Sequence, residues 1–397
     1  MGLMKLATYF RACGDDVRFF KGDLRDLAAK LIFEEFWQEV QATEFAEFVK
    51  DMRDYIRDGK LAHLTALKKF SHIDQLKIAR NRYKIGDYPK FDKVAITTLF
   101  TFYWKKTIET INFAKKFCEN TDNILVGGIA STILAKEFEL ATGIEPIINK
   151  NDGASLDEPG LIDKTNDLII DNLSLDYSIL DEINYKYPAS NAYFGYMTRG
   201  CVNRCEFCAV PKLEPNYCNH ISIKKQIEET KKNFGEKRNL LLLDNNVFAS
   251  TKFDKIIDEI KEMGFGKDDR YYPANEYEIA IKNIEKNHNT PIYIEKIVGM
   301  YDEVRQKLTK NEQGDFYTEC ENLGLLYAKS ATRENVLELD KIFSSMYEKH
   351  VFSQRYKRGL VRYVDFNQGV DARLVTEKKI KKLSEINISP LRIAFDF

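Results

Sequence analysis

Three cysteines stand close together in the middle of the chain and could bind a metal. Cys201, Cys205 and Cys208 are separated by four and three positions, and Gly200 precedes them. Thiolates are soft ligands that suit zinc or an iron–sulfur cluster. A loop with three thiolates can hold three corners of a cubane [4Fe–4S] cluster, which leaves the fourth iron open, as catalytic zinc keeps an open position. The spacing therefore indicates a metal or cluster site.

A structural zinc site is the main alternative. Cys218 or His220 lies near enough in the sequence to supply a fourth ligand. Structural zinc sites usually consist of two separated Cys/His pairs, however, and the sequence has no second pair. The alternative function that follows is a non-catalytic, zinc-stabilised binding module.

Composition limits the class of protein. The chain has 397 residues, with 60 Lys+Arg against 61 Asp+Glu, so its net charge of −1 does not indicate nucleic-acid binding. No run of eighteen apolar residues is present, so we expect no membrane association. An odd number of cysteines, seven in all, is typical of a reducing compartment, and we expect a cytoplasmic protein.

Apolar runs that alternate with helical patterns predict an α/β fold with parallel sheets. The predicted strands cover residues 93–100, 123–126, 146–148, 193–197, 240–243, 361–366 and 391–395. The first three fall in an N-terminal domain at 1–160, and a turn-rich linker follows at 161–190. Residues 191–397 have the register of a partial (β/α) barrel. Residues 267–358 interrupt this barrel and show helical spacing, so we expect a helical insertion that could recognise substrate or a partner.

The cysteine stretch resembles the radical SAM signature, three cysteines with an aromatic residue, here Phe207, before the last. The wider run from Thr198 to Pro211 is similar to the branch that contains methylthiotransferases and cobalamin-domain radical enzymes. The resemblance implies that the three cysteines bind a [4Fe–4S] cluster whose open iron chelates S-adenosylmethionine. It also implies reductive cleavage to a 5′-deoxyadenosyl radical that acts on a substrate the sequence does not identify. A flavodoxin- or ferredoxin-type electron donor would be the partner.

The resemblance extends to the ends of the second and third barrel strands, where the family places S-adenosylmethionine contacts. Asp244, Asn245 and Asn246 end the second strand and could meet the methionine amino group. At the end of the third, Gly369 would allow close backbone approach and Arg373 could pair with the methionine carboxylate. Solvated loops and a surface salt bridge are the alternatives for these five positions.

The N-terminal segment resembles the Rossmann-like domain of cobalamin-binding radical SAM proteins. The similarity lies in residues 2–17 and in Val126 to Ser131, where Gly127-Gly128 follows a strand. The histidine motif for an axial cobalt ligand is missing, so cobalamin is possible but not predicted. A methylthiotransferase that modifies tRNA or protein would need three N-terminal cysteines, and only Cys13 and Cys118 precede the motif.

Both ends of the sequence suggest missing elements. The strand expected before the first helix is absent, and the sequence stops just after the fourth barrel strand, at Asp396-Phe397. Related barrels have six strands, so we expect a truncated barrel, residues 391–395 at an exposed sheet edge, and weak catalysis.

Overall fold

The computed structural model describes residues 1–40, 48–60, 70–149, 153, 156–328, 330–355 and 358–394. Within them the protein is a mixed α/β chain with small parallel sheets. It divides into two compact units: one is Phe20–Ile148, and the other combines Met1–Phe19 with Asn149–Phe397. None of the helices in these described ranges has the length and apolar character needed to cross a membrane.

The first part of the chain is mostly helical. Its elements are α1 (Gly2–Ala12), α2 (Leu24–Val40), α3 (Val49–Asp58), α4 (Ile73–Ile85), β1 (Val94–Thr98), α5 (Trp104–Ala114), β2 (Ile124–Gly128), α6 (Ile129–Ile133) and α7 (Ala135–Thr142). Short 3-10 turns lie at Thr101–Tyr103, Lys115–Phe117 and Thr121–Asn123.

In the unit Phe20–Ile148, β1 and β2 pair in parallel, from Val94 opposite Ile124 to Thr98 opposite Gly128. These two predicted strands are confirmed, because their apolar residues enter a core with α5 and α7. The predicted strand at 146–148 is wrong. Ile147 N donates to Val126 O at 2.8 Å, but no strand ladder forms there.

The second part of the chain contains the following elements: β3 (Ala192–Gly195), α8 (Val210–Leu213), α9 (Lys224–Phe234), β4 (Asn239–Leu242), α10 (Phe253–Ile260), β5 (Arg270–Tyr271), α11 (Glu276–Glu285), α12 (Thr290–Arg305), α13 (Lys310–Asn322), α14 (Arg333–Tyr347), α15 (Ser353–Arg355), β6 (Leu360–Val361), β7 (Val364–Phe366), β8 (Val370–Asp371), α16 (Glu377–Leu383) and β9 (Ile393–Ala394). Further 3-10 turns lie at Ile170–Asn172, Ser178–Glu182, Val247–Ala249 and Ala372–Leu374, and π-helical turns at Lys261–Phe265 and Glu348–Phe352.

The strands β3, β4 and β7 form a parallel sheet in that order. Their carboxyl ends therefore lie at one edge, at Gly195, Leu242 and Phe366. Apolar side chains of the sheet and of α10 share one buried core, so the helix covers a face of the sheet. These three predicted strands are confirmed, although the 361–366 run is divided between β6 and β7.

The chain after α16 continues this parallel arrangement. Ile388 forms a parallel bridge with Val364 on β7, and β9 then pairs in parallel with β8. The predicted fourth strand is thus present at Ile393–Ala394, while residues 395–397 lie outside the described residues. In the described part of the chain, β9 pairs on one side only.

The insertion at 267–358 is mainly helical, as the spacing predicted. Its four longest helices, α11 to α14, enclose an apolar core that includes Ile297, Val336 and Phe343. The short strand β5 at its start pairs antiparallel with β6, which follows its end. The two ends of the insertion are therefore tied together.

The compact units differ from the predicted domains of 1–160, 161–190 and 191–397. The helix α1 belongs with the second part of the chain, because Met4 and Ala7 pack against Leu175, Tyr177 and Phe234. Leu175 and Tyr177 fall in the predicted linker, and both are buried. This part of the chain is a packed segment rather than a linker, because its apolar residues enter a core.

Candidate functional site

The three cysteines lie on one loop that follows β3. Arg199 and Cys218 form an antiparallel bridge, with Cys218 N donating to Arg199 O at 2.9 Å and Arg199 N donating to Cys218 O at 3.3 Å. Residues 200–217 are thereby closed into a loop at the carboxyl edge of the sheet. We call them the cysteine loop.

Gly200 begins the cysteine loop in a conformation that other residues rarely adopt. Its φ is +70°, and a Cβ there would lie 2.5 Å from Asn216 O and 3.0 Å from Glu214 O. A side chain at this position would meet backbone atoms that cannot easily move. Glycine is therefore required for the close return of the loop to its own start.

The three thiols are free and half-buried. The Cys201 Sγ accepts from Asn203 N at 3.4 Å and from Asn246 Nδ2 at 3.8 Å. Cys208 N donates to Cys205 O at 3.0 Å, which forms a turn between the last two cysteines. In the portion of the chain that is described, no three His, Cys, Asp or Glu side chains are grouped so that they could hold a metal ion. Convergence of the three thiols on one metal group stays a prediction.

Asp244 is buried beneath the start of this loop. Its Oδ1 accepts from Met197 N at 3.0 Å and from Thr198 Oγ1 at 2.7 Å, and a third bond comes from Thr198 N. Burial raises the pKa of Asp244 to about 6, although these hydrogen bonds act in the opposite direction. The carboxyl group thus fixes the turn after β3, and its contact with a methionine amino group stays a prediction.

Asn245 and Asn246 reach different partners. The Asn245 amide donates to Glu214 Oε2 at 2.6 Å, so it braces the cysteine loop. Asn246 is buried, and its amide points to the Cys201 sulfur, while its Oδ1 has no hydrogen-bond partner among the described residues. Within the same described part of the chain, the Tyr217 hydroxyl is also buried without a partner. A buried polar atom without a partner is costly, so these two atoms are suited to bind a group that enters the site.

The end of the third strand is tied to the cysteine loop through Asp371. Its Oδ2 accepts from Asn203 Nδ2 at 2.9 Å and from Arg373 Nη2 at 2.7 Å. The hydrogen bond from Arg373 is the main cause that lowers the pKa of Asp371 to about 2. Arg373 is therefore paired within the chain, and a methionine carboxylate would have to compete with Asp371 for it.

Two further predicted positions are defined by their exposure and backbone. The Phe207 side chain is 74 % exposed, so the aromatic residue of the motif does not belong to a core. Gly369 has a φ of +86°, and a Cβ there would lie 3.4 Å from Arg392 O. The chain passes close to Gly369, as expected, but the neighbour is the segment that leads into β9.

The candidate zinc ligands next to the loop are in different surroundings. Cys218 is exposed, and its thiol donates to His220 O at 3.6 Å. The His220 Nε2 lies 2.9 Å from a carboxylate oxygen of Glu259. One ring nitrogen of His220 is thus engaged by a protein carboxylate.

Sequence reasoning did not identify Glu214, Tyr217 and Asp371 as site residues. Asp371 is the last residue of β8, and a carboxylate at the end of a parallel strand is a signal that could have been used. Glu214 and Tyr217 carry no such signal, because their place depends on the closure of the loop by Arg199 and Cys218.

The residues of this site fit an iron–sulfur cluster in their donor chemistry. The loop offers three half-buried thiols, and unpartnered polar atoms of Asn246 and Tyr217 are buried in the same region. Thiolates are the ligands that such clusters use. The comparisons with known proteins do not decide the question: no family model, curated protein or solved structure matches the chain.

Proposed function

We propose that this protein is a radical SAM enzyme in which Cys201, Cys205 and Cys208 bind a [4Fe–4S] cluster. The observation that carries the proposal is the closed loop with three free, half-buried thiols at the carboxyl edge of a parallel sheet. Ligands of α/β proteins bind at this edge because the loops after the strands meet there. With S-adenosylmethionine bound, the cluster would supply one electron that breaks a carbon–sulfur bond and yields methionine and a 5′-deoxyadenosyl radical.

The protein's own residues would hold and enclose these groups. Glu214 accepts from Gly200 N at 2.8 Å and so fixes the backbone before the first thiol. Asn246 and Tyr217 offer a buried oxygen and hydroxyl to the bound molecule. Gly369 has no side chain that could block a ligand, although Arg392 passes close to it, and Arg373 can offer its guanidinium to a carboxylate if it leaves Asp371.

The finer fold and the partners belong to the same proposal. The parallel sheet of β3, β4 and β7, followed by the Ile388 bridge, is compatible with the start of a (β/α) barrel. The parallel pair β1–β2 with its Gly127-Gly128 end is compatible with a Rossmann-like domain. The electron would come from a flavodoxin- or ferredoxin-type donor, and cobalamin stays possible without being predicted.

Anaerobic reconstitution with iron and sulfide tests the proposal. We expect about four irons and four sulfides per chain for one cubane cluster, a brown chromophore, and formation of 5′-deoxyadenosine when S-adenosylmethionine and dithionite are added. Zinc alone, with no sulfide, would favour the zinc-stabilised binding module instead. Iron and sulfide without 5′-deoxyadenosine would leave a cluster protein and refute the radical chemistry.

The matched variants are Cys201→Ala, Cys205→Ala and Cys208→Ala, with Cys218→Ala as the control. Cys218 closes the same loop and is exposed, so its loss removes a thiol without removing a proposed ligand. We expect each of the three loop variants to lose the chromophore and the control to keep it. If Cys218→Ala loses metal equally, a tetrahedral site that includes Cys218 is the better description.

The methylthiotransferase alternative has a separate readout. Such an enzyme would need a second cluster on further N-terminal thiols, whereas Cys118 is buried and Cys13 exposed in this chain. Iron well above that of one cubane cluster, lost on substitution of Cys13 or Cys118, would favour that alternative.

A further inference from the structure

A largely buried network of four charged side chains, Lys5, Asp171, Arg199 and Glu214, joins the first helix to the cysteine loop. It begins at Lys5 on α1, which is only 4 % exposed. The Lys5 Nζ donates to the backbone oxygen of Asp171 and lies 3.5 Å from its Oδ1. The other carboxylate oxygen, Oδ2, accepts from Leu156 N at 2.9 Å. The Asp171 carboxylate thus contacts both Lys5 on α1 and the backbone N–H of Leu156, which lies in the segment before Asp171.

The charge network continues into the cysteine loop through Arg199. Its Nη1 lies 2.5 Å from Asp171 Oδ2, and its Nη2 lies 3.0 Å from Glu214 Oε1. The second oxygen of Glu214 accepts from Gly200 N and from Asn245. The guanidinium also lies over the Tyr196 ring, 5.3 Å from its centroid. Arg199 therefore contacts the start of the turn before Cys201, at Tyr196, and Glu214 contacts its end, at Gly200.

The order of charges makes the four groups depend on one another. Positive and negative groups alternate from Lys5 to Glu214, and each inner group has an opposite charge on both sides. Solvent screens buried pairs much less than surface pairs. Removal of one end leaves the next charge buried without full compensation, and the remaining partners must rearrange.

We infer that Lys5 and Asp171 are positioning residues for the cysteine loop. The helix α1 thereby helps to hold the three thiols in place. Neither residue is a proposed ligand. They act through Arg199 and Glu214 on the backbone at Gly200. The inference rests on the proposed function only where it concerns metal. The effect on the thiols themselves can be measured in the metal-free chain.

The same helix supplies a matched control. Arg11 is also on α1 and largely buried, but its Nε donates to Asp176 at 2.9 Å, and Asp176 contacts Ser178 and His288 rather than the loop. Lys5→Met and Arg11→Met each remove one buried cation from α1. Only Lys5→Met removes a member of the charge network that leads to Glu214.

The first measurement is the rate at which iodoacetamide alkylates the loop cysteines in the full, metal-free chain, resolved by peptide mass spectrometry. We expect Lys5→Met to alkylate faster than wild type at Cys201, Cys205 and Cys208. Arg11→Met should stay near the wild-type rates, and Lys5→Arg should restore them. If Lys5→Met does not fold, Lys5→Gln keeps a hydrogen-bond donor and removes the charge, and the same order is expected.

The second measurement is iron binding with sulfide, together with the electron paramagnetic resonance spectrum of the reduced protein. We expect about a tenfold loss of iron affinity in Lys5→Met, as for other residues that orient metal ligands, and an altered spectrum that Lys5→Arg restores. Equal effects of Lys5→Met and Arg11→Met, or none from Lys5→Met on alkylation, would overturn the inference. A wild-type chain that binds no iron but shows the expected alkylation order would refute the proposed function and leave the inference standing.

Discussion

The two compact units each contain parallel strands, and the carboxyl ends of those strands differ sharply in chemistry. In the unit Phe20–Ile148, β1 and β2 end at Thr98 and Gly128. The residues that follow β1 are exposed and apolar: Leu99, Phe100, Phe102 and Tyr103. Phe100 and Phe102 stack on each other with ring centroids 4.9 Å apart. The Thr98 hydroxyl at this edge donates to Gly127 O at 3.0 Å and lies 3.0 Å from Ser131 Oγ.

The edge formed by β3, β4 and β7 is polar and closely bonded. Asp244 follows β4, Asp371 lies on β8, which comes after β7 in the chain, and Glu214 reaches Asn245 from the cysteine loop. Their oxygens accept hydrogen bonds from the cysteine loop, at Gly200 and Asn203, and from the turn before it, at Thr198. The comparison shows that a parallel sheet provides an edge, while the loops that follow its strands determine what that edge can bind.

Among changes at the two edges themselves, the largest expected effect comes from two glycines, one at each edge. Gly200→Ala and Gly128→Ala both introduce a Cβ at positive φ against backbone, at 2.5 Å from Asn216 O and 2.3 Å from Thr98 O. We expect each to lower the free energy of unfolding of its own unit by about 2–4 kcal/mol, from strain and overpacking together. Only Gly200→Ala should reduce iron binding, measured after reconstitution.

Gly143→Ala is the control for these glycine variants. Gly143 has a φ of +67°, but no atom of the described residues lies within 4 Å of the position of a Cβ. The cost should be about 1–2 kcal/mol, from the left-handed conformation alone. Thermal unfolding followed by calorimetry measures all three. Equal losses in the three variants would show that the close contacts at Gly200 and Gly128 do not matter.

The next effect concerns Asp244. Two variants separate a role of its carboxyl group in folding from a role in binding S-adenosylmethionine. Asp244→Asn keeps Oδ1 as the acceptor for Met197 and Thr198. Asp244→Leu removes it and leaves buried donors unpaired, so it should cost about 2–3 kcal/mol. We expect Asp244→Asn to remain folded and to bind S-adenosylmethionine as the wild type does. A specific loss of that binding in Asp244→Asn would support the predicted contact between Asp244 and the methionine amino group.

The pH dependence of Asp244 has a definite sign. Its folded pKa, about 6, is above the usual value of 3.8, so the folded protein binds more protons than the unfolded chain between these values. Stability should therefore fall as the pH rises from about 4 to about 6, by on the order of 3 kcal/mol from this group. Chemical denaturation across this range should show a smaller decline in Asp244→Asn. If the stability of Asp244→Asn falls with pH as steeply as that of the wild type, burial does not raise the pKa of Asp244 as stated.

The sequence was sufficient for the elements whose apolar pattern is continuous. Leu240 to Leu243 predicted β4 because consecutive apolar residues are typical of a strand buried on both faces. Pro146 to Ile148 showed a similar short run, but proline lacks a donor, and of these three described residues only Ile147 bonds to β2. A short apolar run therefore predicts a buried segment better than it predicts a strand ladder.

The sequence was not sufficient for contacts between distant residues. It indicated that Asp244 and Arg373 lie at strand ends, but not that Asp244 bonds to Met197 and Thr198, or that Arg373 pairs with Asp371. The link from Lys5 to Asp171 spans most of the predicted N-terminal domain and its linker. Such contacts follow from the packing of α1 and leave no periodic signal along the chain.

A smaller effect is expected at the pair of Arg373 and Asp371. The hydrogen bond from Arg373 keeps the pKa of Asp371 at about 2, so its stabilising effect is present above the usual value of 3.8 and is lost as the pH falls through about 2. Arg373→Met should raise the pKa of Asp371 and cost at most about 1 kcal/mol, since the arginine is more than half exposed. Titration of Asp371 by nuclear magnetic resonance measures the change. Arg373→Lys, which keeps the charge, is the control. An unchanged pKa in Arg373→Met would show that Asn203 and the backbone N–H of Arg373 suffice.

The smallest effect is expected at the aromatic edge, which tests whether its exposed residues contribute to the fold. Phe102 is 72 % exposed, so Phe102→Ser removes little buried surface and should change the free energy of unfolding by at most about 0.5 kcal/mol. Phe138 is the matched control because it is buried in the same unit, with its ring 4.6 Å from Trp104, and Phe138→Ala should cost about 3–5 kcal/mol. Denaturation of both variants measures the difference. A loss above about 1.5 kcal/mol in Phe102→Ser, beyond what its remaining burial allows, would mean that the edge after β1 is packed in solution. The two sheet edges would then not differ as described, with exposed apolar residues after β1 and hydrogen-bonded polar residues at the edge of β3, β4 and β7.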